Sequence, residues 1–321
     1  MLAGDLGGTK CRFALISADF AVHAVQHVPT VRDRGEFLRG FDRALAQVLA
    51  SLPSGMPSGM PAGIPAGMEA PIAAGFGVAG VIPRDGRSID RAPNLPLDGF
   101  LLADHVQAKF GVPATVLNDG RASAWGEFLR GHAVGRDPLL CLFFGTGIGI
   151  GLIVDGKPYG GFSNAAGEIG HTTFAPGGLP CPCGAFGHFE AYCGGRAIIE
   201  RAVAEIGPAA DGVWTVGGVV TRANAGGSGS EAAKSILNEA ESAACALVAN
   251  ACTLLNPSAV VLGGGVMAGW PGLRERIEAH TRKVTGRLVH EGLLFAPSLG
   301  GSDAILWGAA AATGALWPPP R

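Results

Sequence analysis

Apolar residues recur along this chain with two different spacings. Over 33–52 they fall three or four positions apart, and this spacing predicts an amphipathic helix. The residues on its apolar stripe are Phe37, Phe41, Leu45 and Val48. Elsewhere, short unbroken apolar runs end at glycine or at polar residues, as buried strands do. The two patterns alternate, and their alternation predicts an α/β fold with mixed sheets.

Most of the chain falls into a predicted element. Strands, or strand–turn–strand units, are predicted over 1–16, 71–82, 112–119, 139–157, 259–266 and 293–299. Helices or helical turns are predicted over 33–52, 97–110, 121–131, 191–206, 215–225, 230–256, 272–284 and 302–316. The segment 230–256 is either one long helix or a broken pair, and Ser302 or Asp303 caps the last helix. The units at 1–16 and 139–157 are built alike, which predicts two lobes of similar plan.

Composition narrows the classes of protein. The 321 residues are 48% hydrophobic and 16% charged, which is enough apolar material for a large core in one or two domains. A formal net charge of −2 argues against nucleic acid or an anionic membrane as the main partner. The sequence shows neither an apolar run of about 18 residues nor an N-terminal signal peptide. We therefore expect a cytoplasmic protein whose seven cysteines are free or metal-bound rather than paired.

A four-residue repeat of proline and glycine occupies residues 53–68. Proline and glycine at this density exclude a helix or a central strand, because proline lacks the N–H that both require. We predict a surface loop without a function of its own.

Two glycine turns between hydrophobic strands are candidate phosphate sites. The first is DLGGTK at residues 5–10, and the second lies in FGTGIGIG at residues 144–151. Glycine lets backbone N–H groups crowd an anion, and Asp5 could hold a hydrated Mg²⁺. The P-loop motif is absent, and an ordinary β-turn would also explain the first motif alone. Two such turns, each with a threonine, favour a nucleotide site in which each turn binds one side of the phosphate chain.

A third glycine turn, VVLGGGVMAG at residues 260–269, has a rival interpretation. Gly263, Gly265 and Ala268 fit the G-x-G-x-x-[GA] fingerprint of dinucleotide-binding proteins. The acidic residue expected about 20 positions further on is not clearly present, and the motif lies late in the chain. A loop around the adenosine of a nucleotide fits it better than a dehydrogenase.

Asn118 and Asp119 end a predicted buried strand directly before a helix. A carboxylate at such a strand end, beside an anion site, is well placed as a general base toward a hydroxyl. Asp119 could instead cap the helix that begins near Arg121, which is a common role for aspartate. Both interpretations stay open from the local sequence.

Residues 171–195 concentrate three of the seven cysteines and two of the eight histidines. Cys181, Cys183 and His188 could form a redox pair, a disulfide, a metal site or no site at all. A disulfide between Cys181 and Cys183 is disfavoured, because its ring would be tight and the expected compartment is reducing.

The sequence resembles the ROK family of bacterial and archaeal sugar kinases, whose motifs occur here in the same order. These motifs are DLGGTK, the Asn-Asp pair, GTGIGIG, GEIGH (167–171), CPCGAFGHFE (181–190) and LNPSAVVLGGG (255–265). The resemblance runs from residue 4 to about residue 310. It implies the two-lobed actin-like ATPase fold, also called ribonuclease H-like, with ATP and Mg²⁺ as cofactors and a hexose as substrate. It also implies a homodimer, with a small lobe formed by 1–118 and 303–321 and a large lobe formed by 119–302.

The resemblance assigns roles to individual residues. Asp119 would be the general base that takes the proton from a sugar hydroxyl, and Asp5 would support Mg²⁺. The sugar would be bound by Asn94, Asn118, Asp119, Glu168, His171 and Glu190. The ATP phosphates would be held by Asp5, Gly7, Gly8, Thr9, Lys10, Gly145, Thr146 and Gly147, with Gly264 near the adenosine. Asparagine and glutamate suit these roles, since both bind hydroxyl groups well.

The resemblance also bears on the cysteine-rich segment. In the family, a structural zinc is bound by a histidine followed by C-x-C-x4-C. His171, Cys181 and Cys183 match this pattern, and His188 stands where the family often has cysteine. Either His188 completes a Cys2His2 zinc site or the site is lost or weakened, and we favour zinc. Such an ion would fix His171 through one ring nitrogen, leave the other for the sugar, and position Glu190.

We therefore expect an ATP-dependent hexokinase of glucokinase type that phosphorylates O6 of glucose. N-acetylglucosamine or N-acetylmannosamine is the alternative substrate, because the sequence does not resolve the substituent at C2. The rival classes are a sugar-responsive transcription regulator and a catalytically inactive sugar-binding protein. Regulators of the family carry a helix-turn-helix before the first glycine turn, where three residues precede Gly4 here. The presence of Asp119 argues against an inactive protein.

Overall fold

The computed structural model describes residues 1–51, 73–209, 212–299, 301 and 303–314. The predicted loop 53–68, the candidate cap Ser302 and the predicted end of the last helix at 315–316 lie outside these residues.

Strands and helices alternate along the described chain. The strands are β1 (Leu2–Leu6), β2 (Lys10–Ile16), β3 (Val22–Pro29), β4 (Ala74–Val78), β5 (Ala114–Asn118), β6 (Leu139–Phe144), β7 (Ile148–Val154), β8 (Lys157–Pro158), β9 (Ala259–Gly263) and β10 (Leu294–Pro297). The helices are α1 (Arg34–Ala50), α2 (Leu102–Phe110), α3 (Asp119–Arg130), α4 (Glu190–Cys193), α5 (Gly195–Ile206), α6 (Val216–Ala225), α7 (Ser230–Leu255), α8 (Gly265–Gly269), α9 (Leu273–Val284), α10 (Arg287–His290) and α11 (Asp303–Ala312). A short 3-10 helix covers Ile169–His171.

The chain divides into two compact units. The first unit comprises Met1–Gly135, Gly151–Ala166 and Leu299–Arg321, and the second comprises Arg136–Ile150 and Gly167–Ser298. These units divide the chain at different points from the predicted lobes, since all of α3 belongs to the first unit. The division into lobes at residues 118 and 302 stays a prediction.

The first unit contains a mixed sheet in the order β3-β2-β1-β4-β5. β1 runs antiparallel to β2, which sets Asp5 opposite Arg12, and parallel to β4. Asp33 begins α1 by accepting a hydrogen bond from the Glu36 N–H through its side chain. The predicted apolar stripe of α1 is confirmed, and its phenylalanines pack with buried rings from β2 and β4. This core supports the sheet edge at which β1 and β5 end.

Helices α3 and α11 cross at very short range in the first unit. A side-chain carbon added at Gly126 of α3 would overlap the backbone of Ala304, and one added at Gly308 of α11 would overlap the backbone of Ala122. The glycines therefore let the two backbones touch, which a larger residue would prevent. This packing fixes α3, and with it Asp119 at its first position.

The second unit contains the parallel strands β10, β9 and β6 in this order, followed by residues 148–150 at the start of β7. The segment 230–256 is one unbroken helix, α7, with buried residues along most of its length. It ends where Asn256 takes a positive φ of 44° directly before Pro257. The sequence alternatives of one helix or a broken pair are thus resolved in favour of one.

The structure differs from the prediction at two helices and in one strand. The helix expected over 97–110 begins only at Leu102, after Pro96 and the positive-φ Gly99. The helix expected over 191–206 is interrupted at Gly194, which has an extended backbone between α4 and α5. Strand β3 was not expected, because its residues alternate between half-buried and exposed without a continuous apolar run.

Among the described residues, no helix is both long enough and apolar enough to cross a membrane.

We predict opposite effects of two glycine-to-alanine changes in helices. Gly126→Ala should lower the free energy of unfolding by about 1–3 kcal/mol, because the methyl group forces α3 away from α11. Gly217→Ala in α6, where the nearest atom would lie at an ordinary 3.4 Å, should leave stability unchanged or raise it by up to about 1 kcal/mol. Urea unfolding followed by circular dichroism measures both, and equal destabilisation would contradict the proposed packing.

Candidate functional site

The first predicted phosphate turn joins β1 to β2 in the first unit. Its Gly7 N–H donates to the Lys10 carbonyl at 3.2 Å, and the Thr30 hydroxyl donates to the Gly7 carbonyl at 2.6 Å. Thr9 and Lys10 are exposed. A side-chain carbon at Gly8 would lie 2.5 Å from the Asn94 Cβ, so only glycine permits this close approach. The structure thus brings Asn94 against the turn.

Asp5 and Asp119 lie close enough in the first unit for their charges to interact. Burial, and after it the charge of the Asp119 carboxylate, raise the pKa of Asp5 from 3.8 to about 7, while Arg12 and Lys10 act in the opposite direction. Perturbed carboxyl pairs of this kind are common at functional sites. The sequence placed these residues 114 positions apart and did not predict their proximity from spacing.

Asn118, rather than Asp119, caps α3. The Asn118 Oδ1 accepts from the Arg121 N–H at 3.2 Å, and its Nδ2 donates to the Gly80 carbonyl at 3.2 Å. Asp119 is the first residue of the helix, and its Oδ1 accepts from the following Gly120 N–H at 2.9 Å. The expectation that Asp119 caps the helix is therefore wrong, because the neighbouring residue supplies the cap, and the role of general base stays a prediction.

The second glycine turn joins β6 to β7 in the second unit. The Gly145 N–H donates to the Gly147 carbonyl at 2.9 Å, and Thr146 between them is exposed. Glu190 approaches this turn: its Oε2 accepts from the Ile148 N–H at 2.8 Å. A side-chain carbon at Gly147 would collide with that carboxylate. Gly147 thus makes room for Glu190, a contact that sequence reasoning did not foresee.

Gly264 lies against the same turn in the second unit. It follows β9 with a positive φ of 95°, and a side-chain carbon there would collide with the Phe144 carbonyl. The two glycine-rich segments of this unit are therefore neighbours. A cavity of about 260 Å³ beside them is lined by Thr146, Pro180, Cys181, Pro182, Glu190, Ala191, Arg196, Ala197 and Glu200.

Two histidines and two cysteines converge in the second unit. One ligand atom from each of His171, Cys181, Cys183 and His188 lies within 4.8 Å of the others. The Cys181 Sγ is 3.6 Å from the His171 Nδ1, and the Cys183 Sγ is 3.3 Å from the His188 Nδ1. A tetrahedral zinc ion with bonds of about 2.0–2.3 Å spaces its ligands by about 3.3–3.8 Å, so this donor set fits with small adjustments.

The segment that carries these ligands is held by bonds within the protein. The Tyr192 hydroxyl accepts from the Leu179 N–H at 2.9 Å, and the ring of Tyr192 packs edge-on against Phe174. Thr173 and His188 form an isolated antiparallel β-bridge, and next to it the Phe189 N–H donates to the Thr172 carbonyl at 3.1 Å. The ligands are thereby gathered by hydrogen bonding and aromatic packing.

Glu168 lies beside the second nitrogen of His171. Its Oε2 is 3.9 Å from the His171 Nε2, while the Nδ1 faces Cys181. The two nitrogens of one ring thus lie near different groups, and the predicted role of His171 toward zinc and sugar stays a prediction. Glu168 itself is exposed.

The predicted site residues fall into two groups, one in each unit. The first unit holds Asp5, Gly7, Gly8, Thr9, Lys10, Asn94, Asn118 and Asp119. The second unit holds Gly145, Thr146, Gly147, Glu168, His171, Cys181, Cys183, His188, Glu190 and Gly264. Within each unit, the contacts described above connect these predicted site residues to one another.

The family model described as "ROK family" matches residues 1–314. The chain belongs to the ROK family. This ROK chain is 33% identical to a glucokinase of Streptomyces coelicolor over 205 residues, which are 61% of the chain and 65% of that protein. The match therefore spans slightly less than two thirds of that relative. Over 316 residues, 96% of the chain and 97% of the relative, it is 29% identical to an N-acetylmannosamine kinase of Vibrio cholerae.

The fold is also that of known ROK structures. A ROK family glucokinase from Streptomyces griseus, solved in complex with glucose and AMPPNP, matches with a TM-score of 0.75 and 27% identity. The match covers 97% of this chain and 99% of the glucokinase. The predicted α/β fold of actin-like ATPases with mixed sheets is thereby confirmed for this ROK protein.

Sequence reasoning missed Arg121, which is buried beside the base candidate of this ROK protein. Its side chain binds Asn164, which lies 43 positions further along the chain. An arginine at the first position of a predicted helix carries no local signal of such a contact. An arginine among small residues (GRASA) was the available hint that it faces the interior.

We predict that Asp5 makes stability depend on pH. The folded protein holds the Asp5 proton up to about pH 7, while the unfolded chain releases it near pH 3.8, so the folded state binds more protons between these values. Stability should therefore fall as pH rises through this window, by at most about 4 kcal/mol. Asp5→Asn should remove this fall and be the more stable protein above pH 7. Urea unfolding between pH 4.5 and 8 with EDTA measures it, and parallel curves for the two proteins would refute the assignment.

Proposed function

We propose that this ROK protein transfers the γ-phosphoryl group of ATP to a hexose hydroxyl, with O6 of glucose as the first candidate. The observation that carries the proposal is the position of Asp119. It heads α3 with the helix cap supplied by Asn118, and its carboxylate lies near that of Asp5. A carboxylate in this position can accept the hydroxyl proton, which is the role of the catalytic aspartate in phosphoryl transfer to alcohols.

Asp119 acts as the general base in this proposal, and Asp5 supports Mg²⁺. A buried carboxylate with a raised pKa fits a hard cation, because oxygen ligands suit Mg²⁺ and its charge offsets the cost of burying Asp5 in the ionised form. Magnesium supplies charge neutralisation at the transferring phosphates. Lys10 adds a second, exposed cation at the end of the same turn.

The glycine turns bind the phosphates of ATP. In the first unit these are Gly7, Gly8 and Thr9, and in the second unit they are Gly145, Thr146 and Gly147, with Gly264 near the adenosine. Both turns are tight and leave a threonine exposed. Backbone N–H groups in such turns suit anionic oxygens.

The sugar hydroxyls are bound by Asn94, Asn118, Glu168, His171 and Glu190. What supports these roles is chemistry and orientation: each offers a hydrogen-bonding group, and the Glu190 carboxylate is already oriented by the Ile148 N–H. A site of this kind rejects analogues that lack a bound hydroxyl, because its polar groups would stay unpaired.

Zinc is bound by His171, Cys181, Cys183 and His188 in a structural role. The convergence of four ligand atoms supports this proposal. Burial raises the pKa of the Cys181 thiol, so zinc binding would release a proton as the thiolate forms. The ion supplies no chemistry to the transfer; it fixes His171, whose Nε2 stays directed toward Glu168.

The identity of the sugar is the finer part of the proposal. N-acetylmannosamine or N-acetylglucosamine is the alternative substrate, and the similarity to an N-acetylmannosamine kinase over 96% of the chain favours keeping it. A sugar-binding regulator without catalysis is the rival class. The homodimer and the cytoplasmic location that the sequence suggests stay predictions.

We predict that ADP release depends on a hexose and on Asp119. In a coupled assay with Mg²⁺-ATP and a panel of glucose, mannose, N-acetylglucosamine and N-acetylmannosamine, one sugar should give clear turnover. Asp119→Asn should lower kcat by at least about 100-fold, because the base is lost while the shape remains. Sugar binding measured by calorimetry should persist.

Asp104→Asn, which alters an exposed carboxylate on α2, is the matched control and should keep full activity. No turnover with any sugar would exclude the kinase, and sugar binding without turnover would favour the regulator.

We predict about one equivalent of zinc per chain in the purified protein. Cys183→Ser should remove most of it, because one of four ligands is replaced by a poor one, whereas Cys245→Ala on α7 should not. Metal analysis by mass spectrometry gives the result directly. Fewer than about 0.2 equivalents in the unmodified protein would reject the Cys2His2 proposal.

A further inference from the structure

Arg121 ties the first turn of α3 to a distant segment of the first unit. Its side chain is buried, with 6% exposed. The Nη1 donates to the Asn164 Oδ1 at 2.8 Å, and the Nη2 donates to the carbonyls of Asn164 at 2.6 Å and Ala166 at 3.3 Å. One guanidinium therefore bonds a side-chain amide and two main-chain carbonyls.

Asn164 is itself rigidly held. Its backbone takes a positive φ of 62°, and its Nδ2 donates to the carbonyls of Ile82 at 2.8 Å and Pro83 at 3.2 Å. A side-chain carbon at Gly160 would collide with the Asn164 Oδ1. The amide thus bonds in two directions, to Arg121 on one side and to the segment after β4 on the other.

The backbone of Arg121 is fixed as well. Its N–H donates to the Asn118 Oδ1, so Arg121 bonds directly to the residue on the other side of Asp119. The intervening Gly120 is buried, and a side-chain carbon at Gly151 would lie 2.6 Å from its carbonyl. The residues on either side of Asp119 in this turn, Asn118, Gly120 and Arg121, are therefore each packed or hydrogen-bonded.

Burying an arginine in a core costs free energy, because its charged group is removed from water. The three oxygens that accept from Arg121 in these contacts are uncharged amide oxygens, and their hydrogen bonds contribute to offsetting the cost of burying the guanidinium. An apolar side chain would fill the same volume at lower cost but could not fix the register between α3 and residues 164–166. The contact thus favours orientation over stability.

We propose that Arg121 is a positioning residue for Asp119, acting through its bonds to Asn164. This inference rests on the proposed function, in which Asp119 is the base. A general base must lie within hydrogen-bond reach of the hydroxyl, and a misplacement of about 1 Å can cost about 100-fold in rate. Loss of the Arg121–Asn164 contact should therefore act on the transfer step.

The test compares two variants that break the contact from opposite sides. Arg121→Met and Asn164→Ala should each lower kcat by about 10- to 100-fold, with the KM values for sugar and ATP changed by less than about 3-fold. The double variant should be no slower than the slower single variant, because both remove one contact. Arg130→Met, at the exposed end of the same helix, is the control and should keep its kcat.

The folded fraction of each variant is measured by circular dichroism and used to correct kcat, so that loss of folding is not counted as loss of positioning. Asn164→Ala keeps the experiment decisive if Arg121→Met does not fold. Losses of kcat that multiply in the double variant, or a rise in KM at unchanged kcat, would overturn the inference while leaving the kinase intact. An unmodified protein without turnover would instead remove the proposed function.

Discussion

The closeness of the Asp5 and Asp119 carboxylates is the electrostatic constraint on which the proposed chemistry depends. Two like charges in a buried place cannot both ionise cheaply, and burial together with Asp119 raises the pKa of Asp5 to about 7. Arg12 and Lys10 oppose the shift without cancelling it. The pair is therefore suited to a place where a divalent cation and a phosphate chain bring compensating charge. The same repulsion would be a plain loss of stability in a protein without such ligands.

Close backbone contacts determine where Asp119 stands. Gly126 and Gly308 let α3 and α11 touch, and Gly151 lets β7 reach the first turn of α3. These contacts hold the helix along its length, while Arg121 and Asn118 hold its first turn by hydrogen bonds. Backbone packing thus sets the position of the helix, and the polar contacts set the direction of one residue. Glycine serves the first purpose because larger side chains would separate the backbones.

Sequence patterns predicted the local features of this structure. The apolar stripe of α1, the glycine turns and the long helix α7 follow from spacings within 30 residues, and all are present. Strand β3 was not predicted, because the sequence of an edge strand with exposed alternate positions resembles that of a loop. The proximity of Asp5 to Asp119 and the hydrogen bonds of Arg121 were not predicted, for another reason. They join residues far apart in the chain, and local composition holds no information about them; the family resemblance alone assigned Asp5 and Asp119 to one function.

The histidine at position 188 is consistent with the way its segment is held. The Tyr192 hydroxyl and the hydrogen bond from the Phe189 N–H to the Thr172 carbonyl hold the segment by contacts that do not use the side chains of the four candidate ligands. The His188 ring reaches the Cys183 Sγ through its Nδ1, the ring nitrogen nearer to the backbone, which keeps the donor set compact. In the proposed zinc site a histidine at this position is an acceptable ligand, since zinc accepts nitrogen and sulfur in the same tetrahedral arrangement.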